Sequence, residues 1–168
     1  LVDNINYAMY VYSNKNVDSI YHKGFHLYQK YSRKDVFRIL NWVQNPLAQN
    51  VGGYIISKDK ENCPVFVTYH KEEDISDTTK YEDSFIDNKT FTWMSKSKRK
   101  LTSPDIKTIK DHHQLHIPLF IKKSNDEGGV EFYYMGDLTP IENSFEQTTM
   151  PTENKKEVSV VRVNFNLS

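Results

Sequence analysis

Cysteine is nearly missing from this 168-residue chain, which has only Cys63. An internal disulfide framework is thereby excluded, and a lone thiol fits a reducing cytosol. No apolar run approaches the roughly 18 residues a membrane-spanning helix needs, and no signal peptide is visible. The chain also lacks an excess of charge, with 22 basic residues against 22 acidic ones. A purely electrostatic nucleic-acid binder is normally strongly basic, so this total argues mildly against one. The glycine pairs Gly52-Gly53 and Gly128-Gly129 have neither the spacing nor the Lys-Ser/Thr ending of a phosphate loop. A Gly-x-Ser-x-Gly elbow, internal repeats and low-complexity tracts are absent. The expectation is a cytoplasmic chain, not bound to membrane, that is not itself an enzyme and holds no cofactor.

What is present is about one domain's length, with enough residues for a single core. The chain opens at Leu1 rather than Met, which reads as a piece of a longer protein. Aromatics reach 13%, eleven of them Tyr, a residue suited to sheet faces and stacking surfaces. Charge is segregated although it cancels in total. Between Trp93 and Lys123 there are eight basic residues against Asp105 and Asp111, whereas Ser124–Glu146 has six acidic residues and no basic one. Lys71–Asn88 carries seven acidic residues against two lysines. Such blocks allow one basic face on a neutral protein, or mix in space and cancel; the pattern alone leaves both open.

Residues 1–26 show no clean periodicity and read as an N-terminal connecting segment, with a domain over 27–168. Ser32 and Asp35 mark a capped helix start, followed by Val36, Ile39 and Leu40, and Asn45-Pro46 is expected to end that helix. Gly53–Ser57 and Pro64–Tyr69 read as a hairpin, and Thr90–Met94 as a strand. Ser103-Pro104-Asp105 is a second helix start. Ile117–Lys122 and Val130–Met135 read as another hairpin, Thr148–Lys156 as a polar loop, and Val158–Leu167 as a closing strand. Many short strands with two short helices predict an α+β, mainly β fold: a closed or nearly closed mixed barrel with a few short flanking helices.

His112 and His116 would share a helix face, but no Glu lies between them in the zincin arrangement and Pro118 follows at once. Surface histidines on a basic helix are the better reading, and no metal site is expected. Cys63, before Pro64 at a strand start, is expected to be a packed, inert thiol. What remains is a set of loops rich in aromatics and charge: Tyr69-His70-Lys71, Tyr81-Glu82-Asp83, and Trp93 followed by Ser95-Lys96-Ser97-Lys98-Arg99. A base swung out of a duplex needs π-faces on both sides, hydrogen-bond partners at its edge, and cations or hydroxyls on the displaced backbone. These loops hold all three kinds of group. The competing reading puts Trp93 and Tyr69 in the core and leaves the basic run as a solvated loop.

The segments Leu27–Val36, Gly53-Tyr54, Pro64–Lys71, Tyr81–Phe85, Phe91–Arg99 and Pro118–Phe120, in that order, resemble a C-terminal domain of unknown function. That domain ends bacterial fusions of a phospholipase-D-type nuclease with a superfamily 2 helicase, and resembles the modified-cytosine-binding region of SauUSI-type type IV restriction enzymes. The resemblance spans about Leu27 to Leu167. It implies an SRA-like, PUA-related barrel that reads 5-methylcytosine or 5-hydroxymethylcytosine in duplex DNA by base flipping. The implied partners are modified double-stranded DNA and the helicase and nuclease domains of the same polypeptide. ATP and Mg2+ would belong to those other domains.

Chemistry then assigns roles within such a reader. Burying a 5-methyl group gives only about 0.8 kcal/mol, and one methylene in an apolar pocket discriminates roughly 10- to 200-fold. Shape must therefore read the modification, while hydrogen bonds establish cytosine. A carboxylate accepting from the cytosine N4 amino group would oppose an acceptor in thymine, at a cost of about 1–3 kcal/mol. Asp83, then Glu82, are the expected carboxylates, and Trp93, Tyr69 and Tyr81 the stacking rings. His70, Lys71, Ser95, Lys96, Ser97, Lys98 and Arg99 are the expected phosphate contacts. A PUA-like RNA binder and a protein-docking module that regulates the helicase remain rival functions.

Overall fold

The protein is described here from a computed structural model, covering residues 21–43, 46, 53–69, 84–85, 89–111, 113–123, 129–152 and 154–168. A short hairpin comes first, β1 (Tyr21–His22) against β2 (Phe25–His26). Its turn residue Gly24 has φ +102°, and a Cβ there would meet Ile39 Cγ2 at 2.5 Å, so the hairpin sits directly on the first helix. Phe25 is fully buried. It belongs to the core cluster that also holds Phe120 and Tyr134.

After β3 (Lys30–Ser32), helix α1 (Arg33–Ile39) starts at a reciprocal capping box. Ser32 Oγ accepts from the Asp35 N–H at 3.1 Å, and Asp35 Oδ2 accepts from the Ser32 N–H at 3.2 Å. The helix stops well before Asn45-Pro46. Asn41 takes φ +60°, its N–H donates to Arg38 O, and the Trp42 N–H donates to Phe37 O. This is a Schellman stop, completed by Trp42 packing 4.8 Å from Phe37.

Eight strands of the described residues form one mixed sheet, ordered β4-β7-β8-β10-β6-β5, with β3 also on β8 and β9 also on β10. They are β4 (Val65–Tyr69), β5 (Ser84–Phe85), β6 (Thr90–Met94), β7 (Pro118–Lys123), β8 (Glu131–Pro140), β9 (Glu146–Pro151) and β10 (Glu157–Leu167), together with β3. Among the described strands only β4 and β7 pair in parallel. The expected 53–57/64–69 hairpin is reduced to one antiparallel bridge, Tyr54 to Val65, on one edge of β4, whose other edge carries the β7 ladder. The β7–β8 hairpin and the closing strand β10 form as expected. The expected polar loop at Thr148–Lys156 is in part strand: β9 pairs with β10 from Glu146 to Pro151, and its mostly solvated side chains hide it from a hydropathy reading.

Both faces of the sheet are covered, so β4 reads as a continuous apolar run rather than an alternating one. Val65, Val67, Phe91, Trp93, Leu119, Val161, Val163 and Phe165 pack with Ile106 and Ile109 of helix α2 (Pro104–Asp111). Phe66, Phe120, Phe132 and Tyr134 pack on the other face with Phe25 and with Val36 and Phe37 of α1. Strand β8 serves both clusters. Leu119 pairs with Gly136 but Phe120 with Tyr134, so Met135 is an extra residue that turns the alternation over. Gly136 has φ +122°, and a Cβ there would lie 2.5 Å from Ser168 O.

The fold is thus α+β and mainly β, but the expected barrel does not close. The sheet path ends at β4 and β5, with no ladder joining them among the described residues. The 53–54 segment occupies the outer edge of β4 instead, through the Phe66 N–H bond to Gly53 O at 2.7 Å. The Tyr54 ring then bridges to β6 by packing 4.8 Å from Trp93.

Candidate nucleic-acid interface

The basic loop after β6 is built from both ends. Ser95 is buried; its Oγ accepts from the Val161 N–H at 2.9 Å and donates to Lys96 O at 3.0 Å. That fixes the start of the loop to β10. The far end is held by Asp105, in the first turn of α2. Its Oδ2 accepts from Arg99 Nε at 2.8 Å and from the Tyr54 hydroxyl. Its Oδ1 accepts from the Ile106 N–H at 2.9 Å. The Tyr54 oxygen receives a long bond from the Lys96 N–H at 3.5 Å, while the Lys96 ammonium lies 4.5 Å from the centre of the Tyr54 ring. Ser103, at the helix start, turns its hydroxyl back to accept from the Lys100 N–H at 2.9 Å.

The electrostatics follow this latch. Burial pushes the Tyr54 hydroxyl well above the ordinary tyrosine range, and the Asp105 carboxylate adds to the shift. For Asp105 burial pulls upward, but hydrogen bonds from Tyr54 and Arg99 outweigh it and hold the carboxyl below its usual value. Asp105 raises Arg99, whereas burial and then Arg99 itself lower Lys96.

Several expected site residues change role here. Trp93 is 2% exposed and wedged between Tyr54 and Phe165, so its ring faces cannot stack on a base. Ser95 is consumed by its bonds to β10. Lys96 is half-buried on Tyr54, and Arg99 is paired with Asp105. Ser97 and Lys98 stand exposed as a phosphate contact requires, with Lys98 held at φ +64°. Lys100, Lys107 and Lys110, outside the expected set, are exposed as well. Tyr81, Glu82, Asp83, His70 and Lys71 lie outside the described residues. Tyr69 is described only as the last residue of β4. Nothing in the spacing joins Tyr54, Arg99 and Asp105, which fold alone brings together.

A second polar cluster crosses the sheet. His116 is buried rather than on the surface, and it lies beyond the end of α2. Its Nε2 is 2.9 Å from Asp137 Oδ1 and its Nδ1 is 3.3 Å from Asn62 Oδ1. The Tyr134 hydroxyl donates to the same Asp137 oxygen at 2.7 Å. A cleft of about 360 Å³ opens over His116, lined by Lys23, Asp59, Lys60, Glu61, Asn62 and Gln114. No Phe, Tyr or Trp ring lines it, and its one aromatic ring, that of His116, is buried and held by Asp137 and Asn62. Among the described residues no group of three or more His, Cys, Asp or Glu could hold a metal ion. Cys63 is fully buried, and burial pushes its thiol up to about 12, as suits a packed, inert group. No helix among the described residues is long and apolar enough to cross a membrane.

Comparison with known proteins places the chain in a family and finds likenesses of fold. The family model described as "Domain of unknown function (DUF3427)" matches residues 25–168. No curated protein matches the chain. Among solved structures, the DNA recognition domain of the cytosine modification-dependent restriction endonuclease LpnPI is similar in fold. It superposes with a TM-score of 0.54 at 13% identity, over 84% of this chain and 72% of that one.

Proposed function

The chain belongs to the DUF3427 family, and we propose that it is the module with which a larger modification-dependent restriction endonuclease recognises DNA. The observation that carries this reading is the fold shared with the LpnPI recognition domain. The latched basic loop supports it, since Ser97, Lys98 and Lys100 are exposed on a loop tied to β10 and to the first turn of α2. On this reading the module binds duplex DNA without cutting it, and selects 5-methylcytosine or 5-hydroxymethylcytosine by swinging the base out of the stack. Helicase and nuclease domains of the same polypeptide would carry the chemistry, with ATP and Mg2+.

With Trp93 in the core, stacking falls to Tyr69 and Tyr81, and recognition of the cytosine amino group to Asp83, with Glu82 second. Lys98 and Lys100 take backbone phosphates, which position the duplex without reading its sequence. The deciding experiment titrates the chain against matched duplexes containing cytosine, 5-methylcytosine or 5-hydroxymethylcytosine at fixed salt. Tighter binding of a modified duplex is expected. Equal affinity for all three would refute the reading; preference for RNA would favour a PUA-like RNA binder, and no nucleic-acid binding a docking module.

A further inference from the structure

Two buried side-chain nitrogens among the described residues lack a hydrogen-bond partner, Arg33 Nε and Trp42 Nε1. Both are donors, and both belong to the cluster under α1. The Arg33 guanidinium carbon lies 5.3 Å from the Phe66 ring centre and 5.1 Å from that of Phe132. Trp42 packs on Phe37, which meets Phe66 at 6.1 Å. Lys122 joins from the far side of the hairpin, its ammonium 5.4 Å from the Phe132 ring and bonded to Gly129 O at 3.0 Å. Among the described residues no carboxylate pairs with Arg33, and burial alone draws its pKa down.

The fold does not explain Arg33. The helix is capped by Ser32 and Asp35, and its core face is Val36 and Phe37. Ring faces attract a cation, yet they leave the Nε–H unmade, and a native protein rarely leaves such a donor without cause. Two orphan donors and no orphan acceptor call for a ligand that only accepts. A phosphodiester does so, and a guanidinium fork matches its oxygens. Position favours the same ligand as the basic loop. Tyr54, which latches that loop, bridges Val65 at the edge of the sheet, and Phe66, the next residue, lies under Arg33 on the opposite face. The basic loop thus meets one face of β4 through Tyr54, and Arg33 meets the other through Phe66.

We propose that Arg33 and Trp42, with Lys122 beside them, form a second phosphate site that takes a backbone phosphodiester of the DNA held by the Lys96–Lys100 loop. The inference rests on the DNA-binding reading above. The test measures binding of fluorescent duplexes, methylated and unmodified, across a salt series, for the wild-type chain, Arg33→Gln and Trp42→Phe, alongside thermal melts. Arg33→Gln should weaken both duplexes about tenfold or more and reduce the log–log salt slope by about 0.9. Trp42→Phe keeps an aromatic ring against Phe37 but removes the N–H together with the pyrrole part of the indole; it should weaken both duplexes severalfold with the slope unchanged. Arg33→Gln should melt close to the wild-type temperature, because loss of the ring contacts is offset by removal of a buried orphan donor, whereas Trp42→Phe should melt somewhat lower because the smaller ring fills less of the cluster. Wild-type affinity and slope in both variants would overturn the site, as would melting far below wild type in Arg33→Gln with unchanged binding by Trp42→Phe. Polyglutamate binding that depends on Arg33, with DNA binding unaffected, would also overturn it and give the site to an acidic protein segment. Equal wild-type affinity for the two duplexes would instead refute modified-base recognition, and the slopes would still decide the site.

Discussion

Tyr54→Phe isolates the latch beneath the basic loop, because it removes one oxygen and keeps the ring against Trp93 and Lys96. The principal loss is the hydroxyl's bond to Asp105; the 3.5 Å bond from the Lys96 N–H is too long to add much. A hydrogen bond to a charged group is worth about 1.5–3 kcal/mol. Asp105 keeps Arg99 and the Ile106 N–H, so its charge is not stranded and the lower part of that range applies, about 1.5–2 kcal/mol. At about 2–4 °C per kcal/mol for a chain of this size, the melting temperature should drop by about 3–8 °C. The assay is urea and thermal unfolding of wild type, Tyr54→Phe, Asp105→Asn and the double variant. The two substitutions should couple by about 1–2 kcal/mol, since each disrupts the same bond. DNA affinity should fall equally for methylated and unmodified duplexes, with an unchanged salt slope because no cation is lost. Strictly additive losses, or a Tyr54→Phe melting temperature within a degree of wild type, would refute the latch.

Trp93→Ala should cost about 3–5 kcal/mol as a core truncation, and at a temperature where the variant remains folded it should bind DNA normally; a folded variant that fails to bind would return Trp93 to the base pocket. Replacing Lys98 and Lys100 together with Ala should reduce the salt slope by about 1.8 and weaken methylated and unmodified duplexes alike, whereas a selective loss of methyl preference would place them at the base. Tyr54, Cys63 and Tyr134 all have folded pKa values raised by burial. Their stabilising contribution is complete below the unfolded thiol value of about 8.5 and is lost as pH rises from there through the folded values. The urea midpoint should therefore be lower at pH 10.5 than at pH 7, and equal midpoints would contradict it.

The parts of the fold that local chemistry dictates were legible in the sequence. Ser32 and Asp35 cap α1 within four residues, and the alternation of Val161, Val163 and Phe165 marks the face of β10 that packs in the core. Helix α2 and the β7–β8 hairpin follow from equally short signals. The misses have nonlocal causes. β9 is a polar edge strand that exists because β10 offers it a partner. The stop of α1 uses Asn41, a residue that tolerates positive φ less often than glycine, so the later Asn45-Pro46 drew the boundary outward. The inversion at Met135-Gly136 carries no pattern of its own. For Trp93 a signal was available: Phe91 and Trp93 fall on one side of a strand by period two, the side shared with Val161, Val163 and Phe165. Spacing shows which residues share a face, not whether that face meets solvent or another layer. The Tyr54–Asp105–Arg99 latch, spanning 51 residues between its ends, was beyond any local reading.

The place of β10 in the sheet constrains how this domain can be assembled. Three strands depend on it: β9 pairs with residues 157–162, β6 with residues 162–166 and β8 with residues 165–167. Until those residues have left the ribosome, β6, β8 and β9 each present unsatisfied backbone along an open edge. Contacts bridging some 70 residues, such as Phe91 to Phe165, form slowly because a long loop must close first. A nascent or nicked chain stopping short of Glu157 is therefore a nearly complete set of strands without its keystone, the kind of intermediate that joins edges with its neighbours and aggregates.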